Sequence, residues 1–133
     1  MRIMLDTNIL VSLLLFPNQR MNHMMEVILS SHKLVLSSFV VEELKAVVQR
    51  KFPAKTAVVD DLLAKMSFDL VYTPEQINEK LFYIRDEKDY PVLYTAMIED
   101  VDILITGDKD FAEIEVERPE ILTPAEFMDT DLK

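Results

Sequence analysis

The chain has 133 residues, and half of them are hydrophobic, which suits one domain with a real core and is too apolar for disorder. It holds no cysteine, which excludes a disulfide framework, a thiolate metal site and a cysteine nucleophile together. The formal net charge is -10, which argues against a broad polyanion-binding face and toward a basic partner.

In chain order, Ile3, Met4 and Leu5 form a short apolar run ending at Asp6 and read as a buried strand. No basic region, long apolar stretch and small-residue cleavage site open the chain, so no signal peptide is expected. Ile9 to Phe16 reads as helix until Pro17, and is far shorter than the roughly 20 residues that span a bilayer. A cytoplasmic protein without a membrane segment is expected. Asn22 to Ser31 reads as a second helix, and Leu34 to Leu36 as a second buried strand. Ser37 and Ser38 are good caps for a helix from Phe39 to about Lys51, which Pro53 ends. Thr56 to Ser67 is a further helix, and Leu70 to Tyr72 a third strand. Pro74 opens an expected helical stretch reaching about Tyr83. Arg85 to Asp89 is a charged loop, and Pro91 sits in the first turn of the next helix, where its missing N–H costs little. Val101 to Ile105 is the fourth strand, followed by Gly107, the only glycine. A fifth strand falls at Ile114 to Val116 or at Ile121 to Leu122. Thr123 to Glu126 then has the form of a capping box. Short apolar strands alternating with helices predict a parallel sheet covered on both faces.

Ligands of such folds bind at the carboxyl ends of the strands, near the point where strand order reverses. Asp6 follows the first strand and Asp108 the fourth. Each also has a plain structural reading, Asp6 as a helix N-cap and Asp108 as a turn residue. On the third helix, Val40, Val41, Leu44, Val47 and Val48 make one apolar stripe at about 100° per residue. Glu42 lies nearly opposite that stripe, whereas Glu43 lies on its border and is the site candidate. Asp89 shares the stripe of Val92, Leu93 and Ala96, so it points inward as an N-cap or a ligand. Asp86 projects similarly if the helix extends back, and Asp110 is near enough to Asp108 to reach the same cleft. Clustered carboxylates need compensation, and hard cations such as Mg²⁺ or Mn²⁺ provide it through oxygen ligands. The two histidines, His23 and His32, show no pairing pattern and read as structural or surface residues.

At these residues the sequence resembles the PIN-domain family, in particular its VapC-like branch of toxin components. The resemblance rests on the opening from Ile3 to Ser12, with Asp6-Thr7-Asn8 at its centre, and on Leu36-Ser37-Ser38 followed by Glu43-Leu44. It continues with Asp86-Glu87-Lys88-Asp89 before Val92-Leu93, with Asp102 to Phe111, and with Ile121 to Phe127. It covers nearly the whole chain in the expected order. It implies one PIN-like nuclease domain over residues 1–133, with a five-stranded parallel sheet in the order 3-2-1-4-5 flanked by helices. It implies a ribonuclease that uses Mg²⁺ or Mn²⁺. The metal-binding and catalytic acids carry over to Asp6, Glu43, Asp89 and Asp108, with Asp110 and Asp86 as extra ligands or outer groups and Thr106 as a supporting hydroxyl. It also implies a homodimer, and an inhibitory antitoxin that docks over the acidic cleft, often with an arginine.

The reading is hydrolysis of RNA, with water activated at the acidic site and a 5′-phosphate and a 3′-hydroxyl as products. The charge of -10 is the main objection, softened by Lys45, Arg50, Lys51, Lys55, Arg85, Lys88 and Lys109 as local cations. A non-catalytic PIN-like protein-binding module is the alternative. More remote is a phosphatase of the haloacid dehalogenase type, whose opening motif has a second aspartate where this chain has Asn8.

Overall fold

The computed structural model describes residues 1–77, 81, 82, 84, 87–111 and 114–131. Five strands form one sheet: β1 (Arg2–Leu5), β2 (Lys33–Ser37), β3 (Asp69–Val71), β4 (Ile103–Ile105) and β5 (Glu120–Leu122). Their order is β3-β2-β1-β4-β5 and every pairing is parallel. Successive strand residues point to opposite faces. Ile3, Met4 and Leu5 of β1 and Ile103, Leu104 and Ile105 of β4 are all buried, so both faces are covered. The expected sheet is therefore present in the expected order.

Among the described residues six helices flank it: α1 (Thr7–Leu15), α2 (Gln19–Ser31), α3 (Ser38–Lys51), α4 (Thr56–Lys65), α5 (Tyr90–Ile98) and α6 (Pro124–Asp131). Side-chain caps set several starts. Asn18 Oδ1 accepts from the Met21 N–H at 2.9 Å and begins α2 earlier than its apolar pattern indicates. Ser37 Oγ accepts from the Val40 N–H and begins α3. The capping box is formed in both directions: Thr123 Oγ1 accepts from the Glu126 N–H at 3.1 Å, and Glu126 Oε1 accepts from the Thr123 N–H at 3.0 Å. No helix among the described residues is long and apolar enough to cross a membrane.

Of the two places expected for the fifth strand, the structure has the second, Glu120–Leu122; at the first, the Ile114 N–H turns back to the Phe111 carbonyl. Two expectations change. Pro74 does not open a helix: residues 74–77, 81, 82 and 84 are non-helical, and the other residues up to Tyr83 lie outside those described. The Leu81 N–H, which a helix would pair four residues back, donates instead to the Tyr90 hydroxyl at 2.8 Å. The fourth strand starts at Ile103 because Val101 is still part of the α5 cap. Its N–H reaches back to the Ala96 carbonyl at 3.0 Å, and that of Asp100 to Met97 at 3.3 Å. This double bond pattern requires a left-handed residue, and Asp100 supplies it with φ 52°. Glycine takes that conformation without the Cβ penalty, so Asp100→Gly is expected to raise unfolding stability by roughly 1 kcal/mol. Asp100→Val should lower it, and urea denaturation of the two variants measures both changes.

Candidate functional site

The sheet order reverses between β1 and β4, and the site forms where both end. The Asp6 N–H extends the ladder past β1 by donating to the Ile105 carbonyl at 3.1 Å. Its backbone is extended and caps α1, so the chain turns sharply and the side chain stays at the strand end. Oδ1 accepts from the Thr7 N–H at 2.7 Å, and Oδ2 accepts from the Thr106 hydroxyl at 2.8 Å. The capping reading and the site reading of Asp6 thus describe one side chain with two oxygens. Asp6 is 4% exposed. Burial pushes its carboxyl above the ordinary value of 3.8, the hydrogen bonds from Thr106 and Thr7 pull it down, and the negative charges of Glu43 and Asp108 push it up.

Thr106 follows β4 and is 3% exposed. Its hydroxyl donates to Asp6 and accepts the Asp108 N–H at 3.1 Å. Asp108 Oδ1 in turn accepts the Asp110 N–H at 2.9 Å. One helical turn, Lys109–Phe111, follows, anchored by the buried Phe111 ring. Asp108 is therefore a turn residue, and the turn holds its carboxylate beside that of Asp110.

On α3 the core side chains are Val40, Leu44 and Val48. Glu42 is exposed and Glu43 half-buried, as the stripe predicts, and the Glu43 charge acts on Asp6. Asp89 ends a short helical turn, Glu87–Asp89, directly before α5. It occupies the N-cap position of α5 with a helical backbone, and its side chain makes no capping bond there. One of its carboxylate oxygens is shielded from solvent. Asp89, Asp108 and Asp110 each bring an oxygen within 4.8 Å of the other two. Asp108 belongs to both groupings, that with Asp6 and Glu43 and that with Asp89 and Asp110. Asp110 is a full member of that group alongside Asp89. Asp86 lies outside the described residues.

Among the described residues, no ion pair reaches Asp6, Glu43, Asp108 or Asp110. The opposite end of the sheet differs: Asp102 accepts from the Arg118 guanidinium and from the Arg2 N–H. His23 lies 3.9 Å from Glu26 on the surface of α2, and the His32 ring packs edge-on against Phe127. Both histidines are thus away from the acids. The Thr7 hydroxyl is buried beside Asp6 and has no hydrogen-bond partner among the described residues. Nothing in its type or spacing marks it in the sequence.

The donor set is all oxygen, which suits a hard divalent cation and not a soft one. Ligands about 2.1 Å from a common Mg²⁺ are at most about 4.2 Å apart, so the Asp89, Asp108 and Asp110 oxygens need only a small inward adjustment to share an ion.

A parallel, doubly wound sheet with an oxygen-only acidic cluster at the carboxyl ends of its strands defines an α/β protein with its candidate site at the switch point. A PIN domain family model matches residues 2–110, and the chain belongs to the PIN domain family. That membership displaces the haloacid dehalogenase alternative.

Solved structures share the fold at low identity. The VapBC2 structure from Rickettsia felis, bound to a DNA fragment from its promoter, matches with a TM-score of 0.71 and 20% identity over 92% of this chain and 97% of that one. FitAcB from Neisseria gonorrhoeae matches with 0.64 and 20% over 92% and 98%. VapC20 from Mycobacterium tuberculosis, a toxin that cleaves the Sarcin-Ricin loop, matches with 0.52 and 14% over 83% and 92%. No curated protein sequence gives a significant match.

Proposed function

We propose that the protein is a metal-dependent endoribonuclease and the toxin of a toxin–antitoxin pair. The observation that carries this reading is the gathering of the Asp89, Asp108 and Asp110 carboxylates, with Asp6 and Glu43 close enough to act on one another, at the carboxyl ends of the strands in a PIN-domain chain. Asp6, Glu43, Asp89 and Asp108 would hold Mg²⁺ or Mn²⁺, and Asp110 joins them. When bound, such an ion neutralises developing charge on a phosphodiester and acidifies water. The chain's own part is placement. Asp6 is fixed by two hydrogen bonds, and the Thr106 hydroxyl holds the Asp6 carboxylate and the Asp108 backbone in register. Burial of Asp6 keeps bulk water from competing for its free lone pairs. Water attacks phosphorus in line, the bond to the 3′ oxygen breaks, and a 5′-phosphate and a 3′-hydroxyl remain.

The comparisons support the partner half of this proposal by analogy of fold, since the VapBC2 and FitAcB structures carry the names of two-component assemblies. A basic antitoxin suits a chain of charge -10, and a homodimer is the expected assembly. The same charge favours the alternative, a non-catalytic binding module, because a polyanion approaches an acidic body against repulsion.

The test is cleavage of mixed cellular RNA by wild type and Asp108→Asn, with Mn²⁺ or Mg²⁺ and with EDTA. Cutting by wild type that EDTA and the substitution both abolish is expected. A wild type that shows no thermal shift with Mn²⁺ and cuts nothing would leave the binding module as the better account.

A further inference from the structure

The acids gather at one end of the sheet, and the cations have a concentration of their own. Residues 45–55 hold Lys45, Arg50, Lys51 and Lys55 and no acid, in a chain of 24 acids and 14 cations. They cover the second half of α3 and the helical turn Pro53–Lys55 that follows it. We propose that the far end of α3, with Arg50, Lys51, Lys55 and the aromatic pair Phe16 and Phe52, holds a single-stranded RNA at a distance from the acidic site.

Three observations carry the assignment. The first is charge. Arg50, Lys51 and Lys55 are exposed, and among the described residues none of their side chains has an ion-pair or hydrogen-bond partner. Lys33 and Lys65, by contrast, lie against Asp69 and Asp61. Arg50 and Lys51 sit in the last turn of α3, where cations offset the negative end of the helix. Lys55 has no such service: it takes the N-cap position of α4 without a capping bond, at the helix end that disfavours a cation.

The second is the aromatic pair. Phe16 and Phe52 are the C-caps of α1 and α3, and their rings meet edge to face with centroids 5.5 Å apart. Phe16 is 57% exposed. An open ring braced by a second ring, next to unpaired cations, is the combination that receives a single strand, its bases by stacking and its phosphates by charge. An acidic peptide offers charge but no base to stack. A flat lipid surface that reaches these cations also meets the acidic body around them, whereas one strand touches the patch alone.

The third is position. Asp6 opens α1 and Glu43 lies on α3, and both helices end at the aromatic pair. At about 1.5 Å per residue, that pair lies roughly 14 Å from the acids along either helix. A strand placed for cutting therefore finds a second hold at the other end of the same two helices, and the chain attracts locally a polyanion that its net charge of -10 repels as a whole. The proposal deepens the proposed function and rests on RNA as its substrate. Its test reads binding in EDTA, so failure of the patch and failure of the nuclease reading are separable.

The probe is a short fluorescein-labelled oligouridine, followed by anisotropy with the intact protein in EDTA over a range of salt concentrations. Arg50→Gln/Lys51→Gln/Lys55→Gln is expected to bind it about tenfold more weakly, with the slope of log affinity against log salt shallower by about 2, for three phosphate contacts at about 0.7 each. Phe16→Ala is expected to bind at least about fivefold more weakly with the slope unchanged, because it removes a stacking surface and no charge. The control is Arg20→Gln/Lys33→Gln/Lys65→Gln, which removes the same charge from exposed positions outside residues 45–55 and should change affinity less than about twofold. Equal weakening by both triple variants would reduce the effect to net charge and overturn the site. So would unchanged affinity and slope in the first variant, or substitutions at the patch that release the protein from phosphatidylserine vesicles and leave RNA affinity as it was. A wild type that binds the probe with the expected variant pattern and cuts no RNA would sink the nuclease reading and uphold the patch.

Discussion

Asp6→Asn is expected to remove RNA cleavage while leaving the fold at least as stable as wild type. The side chain keeps its shape, and the Asn carbonyl still accepts from the Thr7 N–H, so the cap on α1 survives. What is lost is a negative oxygen near Glu43 and Asp108, where the proposed ion's contribution to the transition state would be on the order of several kcal/mol. Activity should fall by at least about 10²-fold. Stability should move the other way. The carboxyl is held above its ordinary value of 3.8, first by burial and then by Glu43 and Asp108, so the folded chain binds this proton more tightly than the unfolded chain does. The stability linked to Asp6 is therefore fully present below about pH 3.8 and is lost as pH rises through the folded-state value. The asparagine variant carries no such loss. In EDTA, the melting temperature of Asp6→Asn should exceed that of wild type near neutrality, and the gap should close as pH falls. A variant that melts below wild type at pH 7, or that still cuts RNA, would remove Asp6 from the role given to it.

Thr106→Val is expected to damage both stability and activity, because one buried hydroxyl serves two partners. Valine matches threonine in shape, so packing between β4 and β1 is kept. Oδ2 of Asp6 loses its donor while Oδ1 keeps the Thr7 N–H, and the Asp108 N–H loses its acceptor. Leaving such groups unpaired in a buried setting costs about 1–3 kcal/mol. The turn from Thr106 to Asp110 also loosens, so the Asp108 and Asp110 oxygens no longer sit in fixed register. Thr106→Ser should restore most of both properties, since it returns the hydroxyl with one methyl fewer. Urea unfolding and cleavage rate measured together check this. If valine and serine behave alike, the hydroxyl is not what matters.

The sequence made much of this site legible, for reasons of geometry. Strand ends are marked by where apolar runs stop, and that placed Asp6 and Asp108 correctly. Helical periodicity separated Glu43 from Glu42, and the burial of the two residues agrees with it. The strand order came from the resemblance, because periodicity says nothing about which strands are neighbours. Other features could not be read locally. Asp110 looked secondary because only the fold sets its oxygen beside those of Asp89 and Asp108. The segment from Pro74 was misjudged because proline is compatible with a helix start, while bonds to distant residues, Thr73 to Ser38 and Leu81 to Tyr90, hold it otherwise. Ser38 looked like a second cap; in fact Ser37 caps, and the Ser38 hydroxyl accepts from Thr73, far along the chain.

The two ends of the sheet bear on the folding equilibrium in opposite ways. At the amino end, Asp102 accepts from the Arg2 backbone N–H and pairs with the Arg118 guanidinium, so its charge is met within the chain. At the carboxyl end, Glu43 and Asp108 raise the cost of a charged Asp6, and bringing these acids together opposes folding. A divalent ion that binds only the assembled cluster reverses that sign, and by mass action the free ion concentration then sets part of the chain's stability. With the proposed ion bound, the folded population would become a readout of divalent ion supply, and a chain starved of such ions would be weakened at the carboxyl end of the sheet.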